Sequence, residues 1–235
     1  MKSFLNKILR NKEKLELPEV PHRKSYAQHG EDLLVEHLMR VLQVQQPFFV
    51  DVGAHHPFIL SNTYLMYQQG ARGINIEPDP SLMAAFQQYR PEDTNLQCGV
   101  RFNDSSESTL YVMSSPVLNT FSQQEAEHVA AFGTYTITGK VRVPLLSLTE
   151  IIETHCPTGV VDFMSIDVEG LDWEIIHYNP LHLIRPKVLC VETMRYTEAG
   201  IGQKNQPLIQ YLIAMNYQVY ADTGLNTIFI DNTLL

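Results

Sequence analysis

Four short apolar runs, each carrying a carboxylate at or near its end, set the rhythm of this chain. They span 48–53, 73–77, 161–167 and 187–192. Runs that are apolar on both faces suit buried parallel strands, because helices cover both sides of such a sheet. Around them apolar residues recur at helical spacing, which predicts helices over 31–42, 62–69, 81–89, 171–178 and 206–215. Strands alternating with helices of this length predict βαβ units with right-handed crossovers. The expected fold class is therefore α/β: a Rossmann-like, mostly parallel, doubly wound sheet.

Two stretches depart from the rhythm. Residues 217–220 and 227–230 flank Asp222-Thr223-Gly224-Leu225-Asn226, which predicts a C-terminal antiparallel hairpin at the sheet edge. Residues 101–145 are polar, with alternating stretches at 109–112 and 134–143, and are expected to form an inserted hairpin or lid-like segment over the ligand edge. The expected organisation is a basic N-terminal arm over 1–24 and a single domain over 25–235.

Charge changes the picture in one respect. The net charge of −9 is unevenly spread: residues 1–24 hold seven basic and three acidic groups, which leaves −13 on the body. An acidic body repels a phosphate backbone, so general nucleic-acid binding is not expected. The arm places Phe4, Leu5, Ile8 and Leu9 at helical spacing among lysines, and reads as a short helix or frayed arm rather than a signal peptide or membrane-surface helix. No apolar stretch approaches the roughly 20 residues that span a bilayer. Cys98, Cys156 and Cys190 stand far apart with no CxxC pair, so reduced thiols and a cytoplasmic location are expected.

Open α/β sheets bind ligands beyond the carboxyl ends of their strands. The strand-terminal acids Asp51, Glu77, Asp167 and Glu192 should therefore gather along one edge, where they repel one another unless cations or hydrogen-bond donors meet them. In Asp51-Val52-Gly53-Ala54, Gly53 permits a tight turn and close approach of a ligand. His55, His56 and Pro57 then replace the glycines of a dinucleotide fingerprint, which disfavours pyrophosphate. Glu77 stands where a carboxylate can accept from ribose hydroxyls.

Five blocks in order carry a resemblance: Tyr26-Ala27-Gln28-His29-Gly30-Glu31-Asp32, Asp51-Val52-Gly53-Ala54-His55-His56-Pro57, Ser61-Asn62-Thr63, the stretch from Gly70 to Pro78, and Ile166-Asp167-Val168-Glu169-Gly170. Over residues 25–195 the chain resembles the FkbM family of methyltransferases. The resemblance implies a class I methyltransferase fold, S-adenosylmethionine as cofactor, and O-methylation of a sugar or natural product. It puts Asp51 and Gly53 at the cofactor turn, Glu77 at the ribose, and Asp167 and Glu169 in the family's I-D-x-E-G motif. Ser165 departs from the lysine common in the family, and His55-His56-Pro57 from its Asn-x-Gly turn.

The candidate catalytic residues are Asp167, Glu169 and His56, and the candidate cofactor contacts are Gln28, Asp51, Gly53, Ala54, Asn62, Glu77 and Asp167. Methyl transfer from a sulfonium needs alignment and, for a hydroxyl acceptor, a proton acceptor. Asp167 or one of His55 and His56 can serve as that base. Alternatively, Asp167 and Glu192 hold Mg2+ against the acceptor's hydroxyls. Glu169 is equally a helix-capping acid, and Gln28 and Asn62 equally form loop and cap bonds. The expected partner is a small-molecule acceptor, and a homodimer is compatible with the sequence. A nucleotide-dependent oxidoreductase and a non-catalytic binding module are the rival classes.

Overall fold

A computed structural model of the chain describes residues 22–194, 197 and 202–235. The basic arm expected over 1–24 lies almost wholly outside the described residues. In chain order the first half comprises α1 (Glu31–Val41), β1 (Phe48–Val52), α2 (Tyr64–Gln68), β2 (Arg72–Ile76), α3 (Pro80–Tyr89), β3 (Thr94–Leu96), β4 (Gly99–Val100) and β5 (Glu107–Met113). The second half comprises α4 (Gln123–Ala131), β6 (Ile137–Leu146), α5 (Leu148–His155), β7 (Phe163–Ile166), α6 (Asp172–Tyr178), α7 (Leu181–Ile184), β8 (Val188–Glu192), α8 (Gln206–Ala214), β9 (Tyr217–Asp222) and β10 (Asn226–Asp231).

Seven strands form the main sheet in the order β3-β2-β1-β7-β8-β10-β9. All pairings from β3 to β8 are parallel, and β10 runs antiparallel to both β8 and β9. The strand order reverses direction between β1 and β7, so their carboxyl ends open a crevice there. This is the Rossmann-like α/β fold that the hydrophobic pattern predicts, closed by the C-terminal hairpin.

Alternation along each strand feeds two cores. Val50, Val52, Met164, Ile166, Leu189, Val191 and Phe229 face Ile151 and Ile152 of α5, Ile175 and Ile176 of α6, and Leu208 and Leu212 of α8. Phe49, Phe163, Val188, Cys190, Ile228 and Ile230 face Val35, Leu38 and Met39 of α1 and Met66 of α2. Strands β1, β7 and β8 are thus covered on both sides, which is why their sequences lack a polar face.

A smaller sheet, β4-β6-β5, stands beside the first. Strands β5 and β6 pair antiparallel from Glu107↔Pro144 to Met113↔Ile137, and α4 lies in the connection between them. The alternating pattern read over 101–145 finds these strands but misses α4, and α5 just beyond it. Both helices begin with Ser-x-x-Glu. Ser122 accepts from the Glu125 N–H at 3.1 Å, while Ser147 and Glu150 form a reciprocal capping box.

Helix α1 is tied to the turn between β9 and β10. Buried Glu31 accepts at Oε1 from Thr223 Oγ1 (2.8 Å) and Asn226 Nδ2 (2.9 Å), and at Oε2 from the His29 N–H (2.8 Å). Asp32 accepts from Ser25 Oγ and the Tyr26 N–H, fastening the segment before α1. The Glu31-Asp32 pair thus makes structural bonds.

Candidate functional site

The turn after β1 is built by close backbone approach. Gly53 and Ala54 both donate to the Ile76 carbonyl, at 3.0 and 3.1 Å, and Asp167 donates to the Val52 carbonyl at 3.0 Å. Gly53 has φ +77°, and a Cβ there would lie 1.8 Å from the Asp167 carbonyl oxygen. Only glycine lets the ends of β1 and β7 meet this way.

Beyond these ends lies a cavity of about 370 Å³. Gln28, Asp51, Gly53, Ala54, Asn62 and Glu77 line it, as do Asp167, Glu169 and Glu192. The structure therefore brings nine of the ten sequence-derived site residues to one place. The tenth, His56, does not line it. Its Nδ1 accepts from the N–H groups of Phe58 and Ile59, at 3.3 and 3.2 Å, and its ring packs edge-on against Phe58. This histidine holds the turn, whereas the neighbouring His55 reaches the cavity.

The far wall comes from the segment that joins β5 to α4. Ser115, Pro116, Leu118, Asn119 and Phe121 face the cavity, and Tyr135 joins them from just before β6. Asn119 Nδ2 donates to Asp79 Oδ2 at 2.9 Å, and Thr120 Oγ1 donates to the Glu169 carbonyl at 2.8 Å. The segment is thereby latched to the loops after β2 and β7. Sequence reasoning placed a lid here without identifying these residues; a loop between two alternating stretches carries no periodicity to mark them.

The acids differ in their surroundings. Asp51 accepts from Thr63 Oγ1 at 2.7 Å, and Thr63 in turn accepts from Arg90 Nη1 at 2.9 Å. Burial nonetheless raises the Asp51 carboxyl above its ordinary range. Asn62 Nδ2 donates to Ser165 Oγ at 3.0 Å on the cavity floor. Glu77 accepts from the N–H groups of His55 and Asp79, each at 2.8 Å, yet burial pushes it up to about 8.

Asp167 is raised to about 6, first by burial and then by the charge of Asp51, while a hydrogen bond with Glu192 opposes the rise. Glu192 is pushed well up, by burial and then by Asp167. The two carboxyls lie at adjacent strand ends, and the charge of Asp167 opposes the ionisation of Glu192. Glu169, held at φ +52°, is likewise pushed up by burial and by Asp167 and Asp172.

The expected magnesium site is not supported. Among the described residues no group of three or more His, Cys, Asp or Glu side chains is placed to hold a metal.

These shifts fix a pH dependence of the unliganded protein. Glu77 binds its proton more tightly folded (about 8) than unfolded (4.5), so its contribution to stability is full below pH 4.5. It is lost as pH rises towards 8, and Asp167 acts in the same direction at lower pH. Urea unfolding should show stability falling across this window, with a smaller slope in Glu77→Ala. A flat profile would show that Glu77 is ionised in the folded cavity.

The sequence model of the family described as "Methyltransferase FkbM domain" matches residues 51–219. The chain belongs to the FkbM methyltransferase family. The match takes in the turn after β1, Glu77, the Asp167-Val168-Glu169 segment and Glu192. The Tyr26–Asp32 block of the FkbM chain lies before it. Among curated proteins, none matches the sequence significantly.

In fold, the FkbM domain is similar to a TehB-like SAM-dependent methyltransferase from Corynebacterium glutamicum, with 10% identity and a TM-score of 0.44, over 87% of this chain and 88% of that one. It is also similar to the Burkholderia thailandensis 1,6-didemethyltoxoflavin-N1-methyltransferase, solved with bound 1,6-didemethyltoxoflavin and S-adenosylhomocysteine. There the identity is 10% and the TM-score 0.38, over 86% and 77% of the two chains.

Proposed function

We propose that this FkbM domain transfers the methyl group of S-adenosylmethionine to a hydroxyl of a neutral small molecule, a sugar or natural product, with Asp167 taking the hydroxyl proton. The observation that carries the reading is the cavity wall: Asp51, Glu77, Asp167, Glu169 and Glu192 meet there, with no lysine or arginine among the described lining residues. Asp167, ionised at neutral pH, offers a sulfonium or ammonium a counter-charge, and the other acids can ionise to meet one, whereas the wall offers a pyrophosphate no cation. This favours S-adenosylmethionine over a dinucleotide, and methyl transfer over the oxidoreductase alternative.

The donor set fits that cofactor. Glu77 keeps free lone pairs beside its two backbone bonds and suits ribose hydroxyls. Asp51 and Gln28 suit the ammonium and carboxylate end, and the close turn at Gly53 admits the ligand to the backbone. When bound, the cofactor supplies an electrophilic methyl group. The protein's part is to align the acceptor oxygen, exclude water beneath the 115–121 segment and accept one proton.

Asp167 suits the last task because a carboxyl near pH 6 is ionised at neutral pH yet basic enough to take a proton. Glu192 holds it through their shared hydrogen bond. The catalytic unit is proposed to run over 25–235, since the Tyr26 carbonyl accepts from the Ser61 N–H at 3.0 Å and so packs this segment onto the site. Three free, buried cysteines support a cytoplasmic location. No described helix is long and apolar enough to cross a membrane.

Isothermal titration with S-adenosylhomocysteine tests the cofactor assignment. The expected result is binding that falls at least about tenfold in Glu77→Ala and Asp51→Asn, the scale of one lost polar contact. Absence of binding by folded wild-type protein would remove the assignment.

A further inference from the structure

We propose that His55 is a ligand-contacting residue, its imidazole meeting the hydroxyl-bearing ribose of the cofactor beside Glu77. The inference rests on the cofactor reading above and adds to it a contact from the turn after β1.

Three observations carry it. His55 lies in the cavity wall and holds φ +53°, a conformation that L side chains rarely adopt. Residues held in this region carry some backbone strain, and such strain clusters at ligand sites. Its Nδ1 is enclosed and has no hydrogen-bond partner. A buried ring nitrogen without a partner opposes folding. The His55 N–H also bonds Glu77 Oε2 at 2.8 Å, which fixes this residue against the proposed ribose acid.

The unpartnered Nδ1 is a cost of this side chain to folding. Glycine would relieve the backbone and remove the orphaned nitrogen. Adjacent His56 makes the contrast, because two backbone N–H groups occupy its Nδ1 and it stays outside the cavity. Burial and the neighbouring His56 hold the His55 imidazole below its ordinary range. The ring is therefore neutral near pH 7 and can accept from a hydroxyl.

The test compares full-length wild type with His55→Gly and His55→Asn. S-adenosylhomocysteine and adenosine are the probes, and each thermal midpoint is measured without ligand. The proposal expects both ligands to bind His55→Gly about tenfold more weakly, with a midpoint equal to or above wild type. His55→Asn tolerates the same backbone and keeps a polar group, and should recover part of the affinity. It decides the matter if the glycine variant does not fold.

Unchanged affinity for both ligands overturns the proposal, as does a lowered midpoint that accounts for the weaker binding. Weaker binding of S-adenosylhomocysteine with unchanged adenosine would move the contact to the amino-acid end and overturn the ribose assignment. Wild-type protein that binds neither ligand removes the cofactor reading itself, which separates the two failures.

Discussion

Asp167→Asn should lower kcat about 10²–10⁴-fold, the usual scale for a positioned general base, while S-adenosylhomocysteine still binds. Asparagine keeps the shape of the side chain and can still bond to Glu192, but it cannot take the acceptor's proton. In the wild type the same carboxylate should give kcat a falling limb below about pH 6, where Asp167 is protonated. The measurement is initial rate against pH, with a hydroxyl acceptor found by screening sugars. If the variant turned over normally, Asp167 would be a binding residue only. If cofactor affinity fell as far as kcat, its main role would be holding the cofactor.

The second large effect lies beneath the site. Arg90 is wholly buried, with Nε on Asp93 Oδ2 at 2.8 Å and Nη1 on Thr63 Oγ1 at 2.9 Å. Its guanidinium lies about 5 Å from the ring centres of Phe49 and Tyr67. Asp93 in turn accepts from the Gly73 N–H and Asn75 Nδ2 on β2. Arg90→Met fills much of the space but strands the Asp93 carboxylate in the interior. Breaking a buried pair by removing one partner costs about 3–5 kcal/mol, so urea unfolding should show a loss of that order. A loss under about 1 kcal/mol would mean that Asp93 regains water. The variant should also release Thr63 and weaken cofactor binding through Asp51.

The arrangement of the sheet was readable because burial on both faces leaves an unbroken apolar signature: β1, β2, β7 and β8 could be placed from it to within two residues at either end. The edge strand β3, Thr94-Asn95-Leu96, is three residues long and half-buried, so neither period nor composition marks it. Helices α4 and α5 went unread for another reason: their Ser-x-x-Glu starts were present, but each lies beside an alternating stretch that suggested strands. At the site, the acids were legible because strand ends determine where they point. The roles of the two histidines were not, because only the turn geometry decides that His56 folds back onto Phe58 and Ile59 while His55 faces the cavity. The strap from Ser115 to Phe121 was illegible for want of any repeating pattern.

The bonds from Glu31 to Thr223 and Asn226 reach the order in which the molecule can be made. The partner of Glu31 in Asn226 lies 195 positions later in the chain. Helix α1 can form from local contacts, but the donors that satisfy its buried carboxylate come from the β9–β10 turn. Seating the helix therefore waits on a contact of very long sequence separation, the kind that forms slowly because loop closure must precede its reward.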